Sequence, residues 1–202
     1  MSRPRTHDLL RIASVATLCR GTPDWVAHAL RAAPWVVVRR AHCASGRVPV
    51  GIRGVHRGHR HATDISKDMV SEILSPPDLL DRVDNLPDLP ATRALRGAAQ
   101  LLAPMGLRWG PGGSVGFTLA TGVCAITAAS DLDLILTADH LPPRALLAAV
   151  RDALRTLPVR VDAQLDLPIG GVALDELLSG TDRVLIRTPD GPVLSDASAL
   201  WR

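Results

Sequence analysis

The sequence predicts an α/β (α+β) fold in two units. Three observations carry this: helical and strand-like apolar patterns alternate along the chain, a proline- and aspartate-rich stretch interrupts them, and 47% of the 202 residues are hydrophobic. With charged residues at only 21%, the disordered class is excluded. A chain of this length accommodates one or two compact units. Residues 75–90 hold Pro76, Pro77, Pro87 and Pro90 among several aspartates and read as a linker. The boundary is therefore placed near residue 88, giving a smaller α+β N-terminal domain, 1–88, and a C-terminal α/β domain, 89–202.

Residues 24–33 carry helical spacing and stop against Pro34, and the apolar run at 35–40 then reads as a strand. Ser45-Gly46 is a turn, and 48–53 alternates as the second arm of a hairpin. The pattern from 64 to 74 suits a helix, as does 91–103. Residues 105–116 contain five glycines and one proline, so no element is expected to run through them undisturbed. A short helix or strand end at 117–120 is expected next, then a loop to Ser130 and a strand at 132–137. Residues 142–156 form an amphipathic helix with prolines at its start and Leu146, Leu147, Val150 and Leu154 on one face. A strand at 159–167, a helix at 174–178 and a strand pair at 184–187 and 192–194 complete the chain.

The composition narrows the function classes. Phe117 is the only Phe, four Trp are present and Tyr is absent, so binding of single-stranded nucleic acid by ring stacking is not expected. The formal charge is +3, and Lys67 is the only Lys, so nearly all the positive charge is Arg. This fits either a coding bias toward Ala and Arg or a phosphate-rich ligand whose oxygens match the guanidinium fork. Cys19, Cys43 and Cys124 are far apart and lack C-x-x-C spacing, and so read as buried thiols of a cytoplasmic protein. No signal-peptide core or membrane-spanning run is legible, so neither export nor a membrane partner is expected.

The candidate chemistry lies in Gly113-Ser114 and the later Ser130-Asp131-Leu132-Asp133-Leu134. On a strand, residues two apart project from one face at a separation of about 6.5–7 Å, so Asp131 and Asp133 converge while Leu132 and Leu134 enter the core. Paired carboxylates beside a phosphate site suit magnesium, which takes hard oxygen ligands at about 2.0–2.1 Å and keeps positions open for phosphate. A third carboxylate is expected on a neighbouring strand, with Asp162 preferred over Asp166. Three carboxylates would allow two metals about 3.5–4 Å apart to serve an in-line displacement. Gly113 and Ser114 would offer backbone N–H groups and a hydroxyl to the phosphates.

A Gly-Ser turn, Asp-x-Asp on the next strand and a later single Asp resemble the nucleotidyltransferase superfamily. The departure is the interval of sixteen residues between Ser114 and Asp131, which is tolerable if it forms a loop. The words RPRTHDLL, WVVVRRA, VPVGIRG, WGPGGSVGFTLATG, SDLDLIL and VDAQLDLP, with Gly170-Gly171 close behind, span nearly the whole chain. They resemble the malonate decarboxylase holo-acyl-carrier-protein synthases, or phosphoribosyl-dephospho-CoA transferases. This resemblance implies a nucleotidyltransferase-like C-terminal catalytic domain and an N-terminal domain that binds substrate or partner. It also implies a reaction in which a serine of the malonate decarboxylase acyl carrier protein attacks triphosphoribosyl-dephospho-CoA and expels pyrophosphate. By the motif match, Asp131 and Asp133 take the metal-binding catalytic role and Asp162 the third position.

The same residues admit other readings. A dehalogenase motif would need the apolar strand before its first Asp, whereas here the strand follows. A dinucleotide loop lacks its βαβ context, and a P-loop lacks Gly-Lys-Ser/Thr. A zinc site at His56, His59 and His61 is opposed by the interspersed Arg53, Arg57 and Arg60. Those three Arg form either a solvated basic face or a patch gripping the substrate's anionic tail or an acidic carrier protein. Two further alternatives stay open at this point: a nucleotidyltransferase acting on protein or RNA with an ordinary nucleotide, and a non-catalytic module that docks on carrier proteins.

Overall fold

The computed structural model describes residues 3–15, 18–19, 21–56 and 58–201. Its N-terminal part is an antiparallel sheet of β1 (Leu9–Ile12), β2 (Trp35–Val38), β3 (Arg47–Arg53), β4 (Arg60–Ser66) and β5 (Val70–Leu74). The strand order is β4-β3-β2-β1-β5. Helix α1 (Asp24–Ala32) covers one face, with its Val26 and Leu30 packed among Leu10, Val36, Val38, Val50 and Ile52. Alternate residues Leu9, Trp35 and Leu74 enter a second and larger core. A sheet covered on both faces explains why the strand WVVV is apolar throughout.

The second sheet has the order β11-β10-β9-β8-β7-β6. Its strands are β6 (Arg108–Pro111), β7 (Leu132–Thr137), β8 (Val161–Leu167), β9 (Gly170–Ala173), β10 (Arg183–Thr188) and β11 (Gly191–Asp196). Only β7 and β8 pair in parallel, and the crossover that parallel pairing requires is α4 (Arg144–Leu154). Helices α2 (Pro90–Leu102) and α4 supply Ala94, Leu95, Ala98, Leu147 and Val150 to the larger core beneath Leu132, Leu134 and Leu136. Helix α3 (Gly113–Thr121) follows β6, α5 (Leu174–Leu177) follows β9 and α6 (Ala197–Leu200) lies near the end. Among the described residues no helix is long and apolar enough to cross a membrane.

Four expectations change. Residues 64–74 are not a helix: they hold the end of β4, a 3-10 turn at Lys67–Met69 and β5. The stretch 75–90 is folded rather than an open linker. It forms 3-10 turns over Pro77–Asn85 with Leu79 fully buried, and these turns pack on β6 and α3. Gly110 permits that packing, since a β-carbon there would stand 2.0 Å from the backbone carbonyl of Pro76. The glycine-rich segment 105–116 nevertheless holds β6 and the start of α3. The cysteines are less enclosed than expected, with Cys19 and Cys43 half-buried and Cys124 exposed.

Candidate active site

Strand β6 ends at Pro111, and the chain turns through Gly112 and Gly113 directly into α3. The Gly112 N–H donates to the Asp133 carbonyl at 2.9 Å, which ties the turn to β7. Gly113 has φ +54°, and a β-carbon on it would lie 1.7 Å from Asp133 Oδ2. Only glycine fits there, because the Asp133 carboxylate occupies the space a side chain would take. Ser114 lies in the first turn of α3, 8% exposed, and does not form part of the adjoining cavity wall. Glycine backbone is what the helix start presents to the cavity.

The interval between Ser114 and Asp131 begins as helix, residues 115–121 continuing α3, and closes as a loop over residues 122–130 that leads to β7. Helix α3 continues to Thr121 and ends on Gly122 in the left-handed region. Thr118 Oγ1 donates to the Ser114 carbonyl and accepts from the Ala125 N–H, fastening the return toward β7. Gly116 stands mid-helix because a β-carbon there would come within 2.6 Å of the Pro111 carbonyl oxygen.

Leu132 and Leu134 are fully buried, while Asp133 sits half-buried on the opposite face of β7. Asp133 is paired directly with Asp162 across the parallel β7–β8 ladder, where neighbouring strands lie about 4.8 Å apart. Burial raises the Asp133 carboxyl pKa above the ordinary value, and the negative charges of Asp131 and Asp162 raise it further. Arg53 and Arg60 oppose that rise. These two Arg form a cross-strand pair on β3 and β4, so the first sheet brings positive charge to the acidic cluster of the second. Arg57 lies outside the described residues. Asp166 is paired with Thr137 at the other end of the ladder and forms an ion pair with Arg40.

Between the two sheets lies a cavity of about 180 Å³. His7, Leu9 and Val37 line it from the first sheet's side, and Gly113, Asp133 and Asp162 from the second. Gln164 and Arg187 complete a polar wall. Arg187 donates to Gln164 Oε1 at 3.3 Å, and the Gln164 amide nitrogen donates to His7 Nε2 at 2.8 Å. That nitrogen of His7 is thereby an acceptor, and burial lowers the imidazole pKa below its usual value. Among the described non-glycine residues, His7 alone has a positive φ, +74°, in the left-handed region where His is enriched. His7, Gln164 and Arg187 were not singled out from the sequence. Their only signal there is a polar Thr6-His7-Asp8 leading into an apolar strand, and no spacing rule joins residue 7 to residue 164.

His59 stacks on Trp25 with ring centroids 4.8 Å apart, and His56 meets His59 edge-on. The histidine-rich hairpin tip is thus organised by ring packing. Among the described residues no three His, Cys, Asp or Glu side chains form a ready-made metal cage.

A family model described as the phosphoribosyl-dephospho-CoA transferase MdcG N-terminal domain matches residues 5–76, and its C-terminal counterpart matches residues 78–198. The chain belongs to the phosphoribosyl-dephospho-CoA transferase family. Relatives of this transferase agree over most of their length. A phosphoribosyl-dephospho-CoA transferase of Pseudomonas putida is 41% identical over 199 residues, covering 96% of this chain and 94% of the relative. One from Pseudomonas aeruginosa is 41% identical over 206 residues, covering 98% and 94%. One from Klebsiella pneumoniae is 36% identical over 196 residues, covering 96% and 95%. No solved structure matches the chain. The family transferase is an enzyme, and the cavity beside Asp133 is its candidate active site.

Proposed function

We propose that this transferase moves the 2'-(5''-phosphoribosyl)-3'-dephospho-CoA prosthetic group from its triphosphate precursor to a serine of the malonate decarboxylase acyl carrier protein, in the cytoplasm, releasing pyrophosphate. The observation that carries this reading is the direct pairing of Asp133 with Asp162 beside the glycine turn that opens α3.

Asp131, Asp133 and Asp162 fit magnesium by the chemistry of their oxygen donors and by the mutual repulsion that a cation would relieve. Magnesium takes only one or two protein carboxylates and keeps its remaining positions for phosphate and water, which suits the Asp133–Asp162 pair. The chemistry magnesium supplies when bound is charge neutralisation on the triphosphate and on the departing pyrophosphate. The backbone N–H groups at the start of α3, which have no partner within the helix, receive phosphate oxygens. Arg53 and Arg60 balance the remaining negative charge. A new bond forms between the serine oxygen and the α-phosphorus as the bond to the β-phosphate breaks. The pyrophosphate leaves with the electron pair, and the hydroxyl proton passes to a carboxylate of the cluster or to water.

Intact-protein mass spectrometry of the apo carrier protein, after incubation with the enzyme, magnesium and triphosphoribosyl-dephospho-CoA, tests the proposal. The expected result is a mass increase equal to the prosthetic group at one serine. An unchanged carrier, or a carrier labelled instead from ATP, would overturn it.

A further inference from the structure

A second, wider hollow of about 770 Å³ adjoins the catalytic cavity and is not used by the chemistry above. The two meet along β8, where Gln164 lines the first and Asp166 the second, and strand alternation puts both on one face. Gly171 keeps this junction open: a β-carbon there would lie 2.6 Å from the Gln164 amide nitrogen and 3.2 Å from the Arg40 guanidinium. The walls of the hollow are strongly basic. Arg3, Arg5, Arg39, Arg40, Arg47 and Lys67 face only Asp139 and Asp166. Arg40 and Asp166 neutralise each other, with side chains 15% and 16% exposed. Among the described residues no carboxylate lies within ion-pair reach of Arg3, Arg5, Arg39, Arg47 or Lys67.

The shape favours a small ligand. The walls come from both halves of the chain, and the volume is that of a small-molecule site rather than a face for a folded protein. Guanidinium forks in this number match a ligand with several phosphate oxygens. From Asp162 to Asp166 the strand advances about 13 Å, so the basic walls stand well away from the acidic cluster. The proposed donor has two anionic centres separated in the same sense. Its triphosphate carries the bond that breaks, and across two ribose rings lies the diphosphate of the dephospho-CoA half.

We propose that the basic hollow holds the diphosphate of the dephospho-CoA half while the triphosphate lies at Gly113 and Asp133; this rests on the donor assigned under the proposed function. The hollow then selects the donor, because a nucleoside triphosphate has an anionic group for only one of the two ends.

Dephospho-CoA, which lacks the triphosphate, is the probe. Its binding to the full chain is measured by isothermal titration calorimetry for the wild type, the double variant Arg39→Ala/Arg47→Ala, and Arg93→Ala, which lies outside the hollow. Thermal melts verify that each is folded. The expected result is binding by the wild type and by Arg93→Ala, and a loss of about tenfold or more in the double variant. In transfer assays the donor KM of the double variant rises by a similar factor. Equal dephospho-CoA affinity in the folded double variant and the wild type would overturn the proposal, as would a raised KM for the carrier protein alone. A wild type that binds dephospho-CoA in this Arg-dependent way but transfers nothing contradicts the proposed function while upholding the hollow. Transfer that proceeds normally in the double variant does the reverse.

Discussion

The Cα of Gly113 and the carboxylate of Asp133 lie so close that a β-carbon at residue 113 would stand 1.7 Å from Asp133 Oδ2. The turn and the acid therefore pack directly on each other, and the hydrogen bond from the Gly112 N–H to the Asp133 carbonyl ties them. Gly113→Ala must place an L-residue in the left-handed region, at about 1–2 kcal/mol, and must push the carboxylate aside. A displacement on the order of 1 Å at a reacting centre can cost about 10²-fold in rate. We expect kcat to fall by about that factor while the protein still melts cooperatively, as read by steady-state kinetics and circular dichroism. Full activity in this variant would show that Asp133 does not have to hold this position.

Asp162 and Asp166 share a face of β8 but have different neighbours, and their variants should part accordingly. Asp162 is exposed and pairs with Asp133, so Asp162→Asn should reduce turnover by about 10²-fold with little change in melting temperature. Asp166 partners the largely buried Arg40, so Asp166→Asn leaves a poorly solvated cation and should cost on the order of 3 kcal/mol of stability. Parallel melts and kinetics on both variants check this, and the opposite pattern would exchange their roles.

Asp8 gives a pH signature. Its side chain is buried and accepts the Arg5 N–H at 2.7 Å, and burial, as the largest cause, raises its pKa from 3.8 to about 6. The folded state thus holds this proton more tightly than the unfolded state. The resulting stabilisation is complete below pH 3.8 and is lost as the pH rises through about 6. Urea titrations of the wild type and Asp8→Asn should show their stability difference moving against the wild type across that window, then levelling off. A difference that moves toward the wild type with rising pH would contradict the assignment.

Gly110 tests how the 3-10 turns are held. A β-carbon there would meet the backbone of Pro76 and Pro77, which cannot rotate away as a side chain can. Gly110→Ala should therefore destabilise the protein by about 1–3 kcal/mol or more, seen as an earlier thermal transition. An unchanged melting temperature would mean that the contact yields easily.

Legibility in the sequence followed how each element is buried. Residues 132–137 and 144–154 were plain, because a strand feeding an amphipathic helix shows its period directly. Helix α3 was legible only as the short helix or strand end at 117–120, because residues 114–120 are all buried and no polar face marks a period, and its glycines answer to packing against Asp133 and Pro111. The error at 64–74 has a different cause. Ile65, Met69, Val70, Ile73 and Leu74 recur at helical spacing, yet they come from two edge strands and from the turn at Lys67–Met69 that breaks the phase between them. Asp131, Asp133 and Asp162 could be read from local words. The His7–Gln164–Arg187 wall could not, since it exists only once the two sheets face each other.

The central claim is that the cluster around Asp133 drives displacement of pyrophosphate by a carrier-protein serine. Coupled measurement of pyrophosphate release and carrier mass, with wild type and Asp133→Asn side by side, addresses it most directly. The wild type should release pyrophosphate in equimolar amount to modified carrier, and Asp133→Asn should lose both together by on the order of 10²–10³-fold while remaining folded. Undiminished modification by Asp133→Asn, or modification by the wild type without pyrophosphate, would contradict the account.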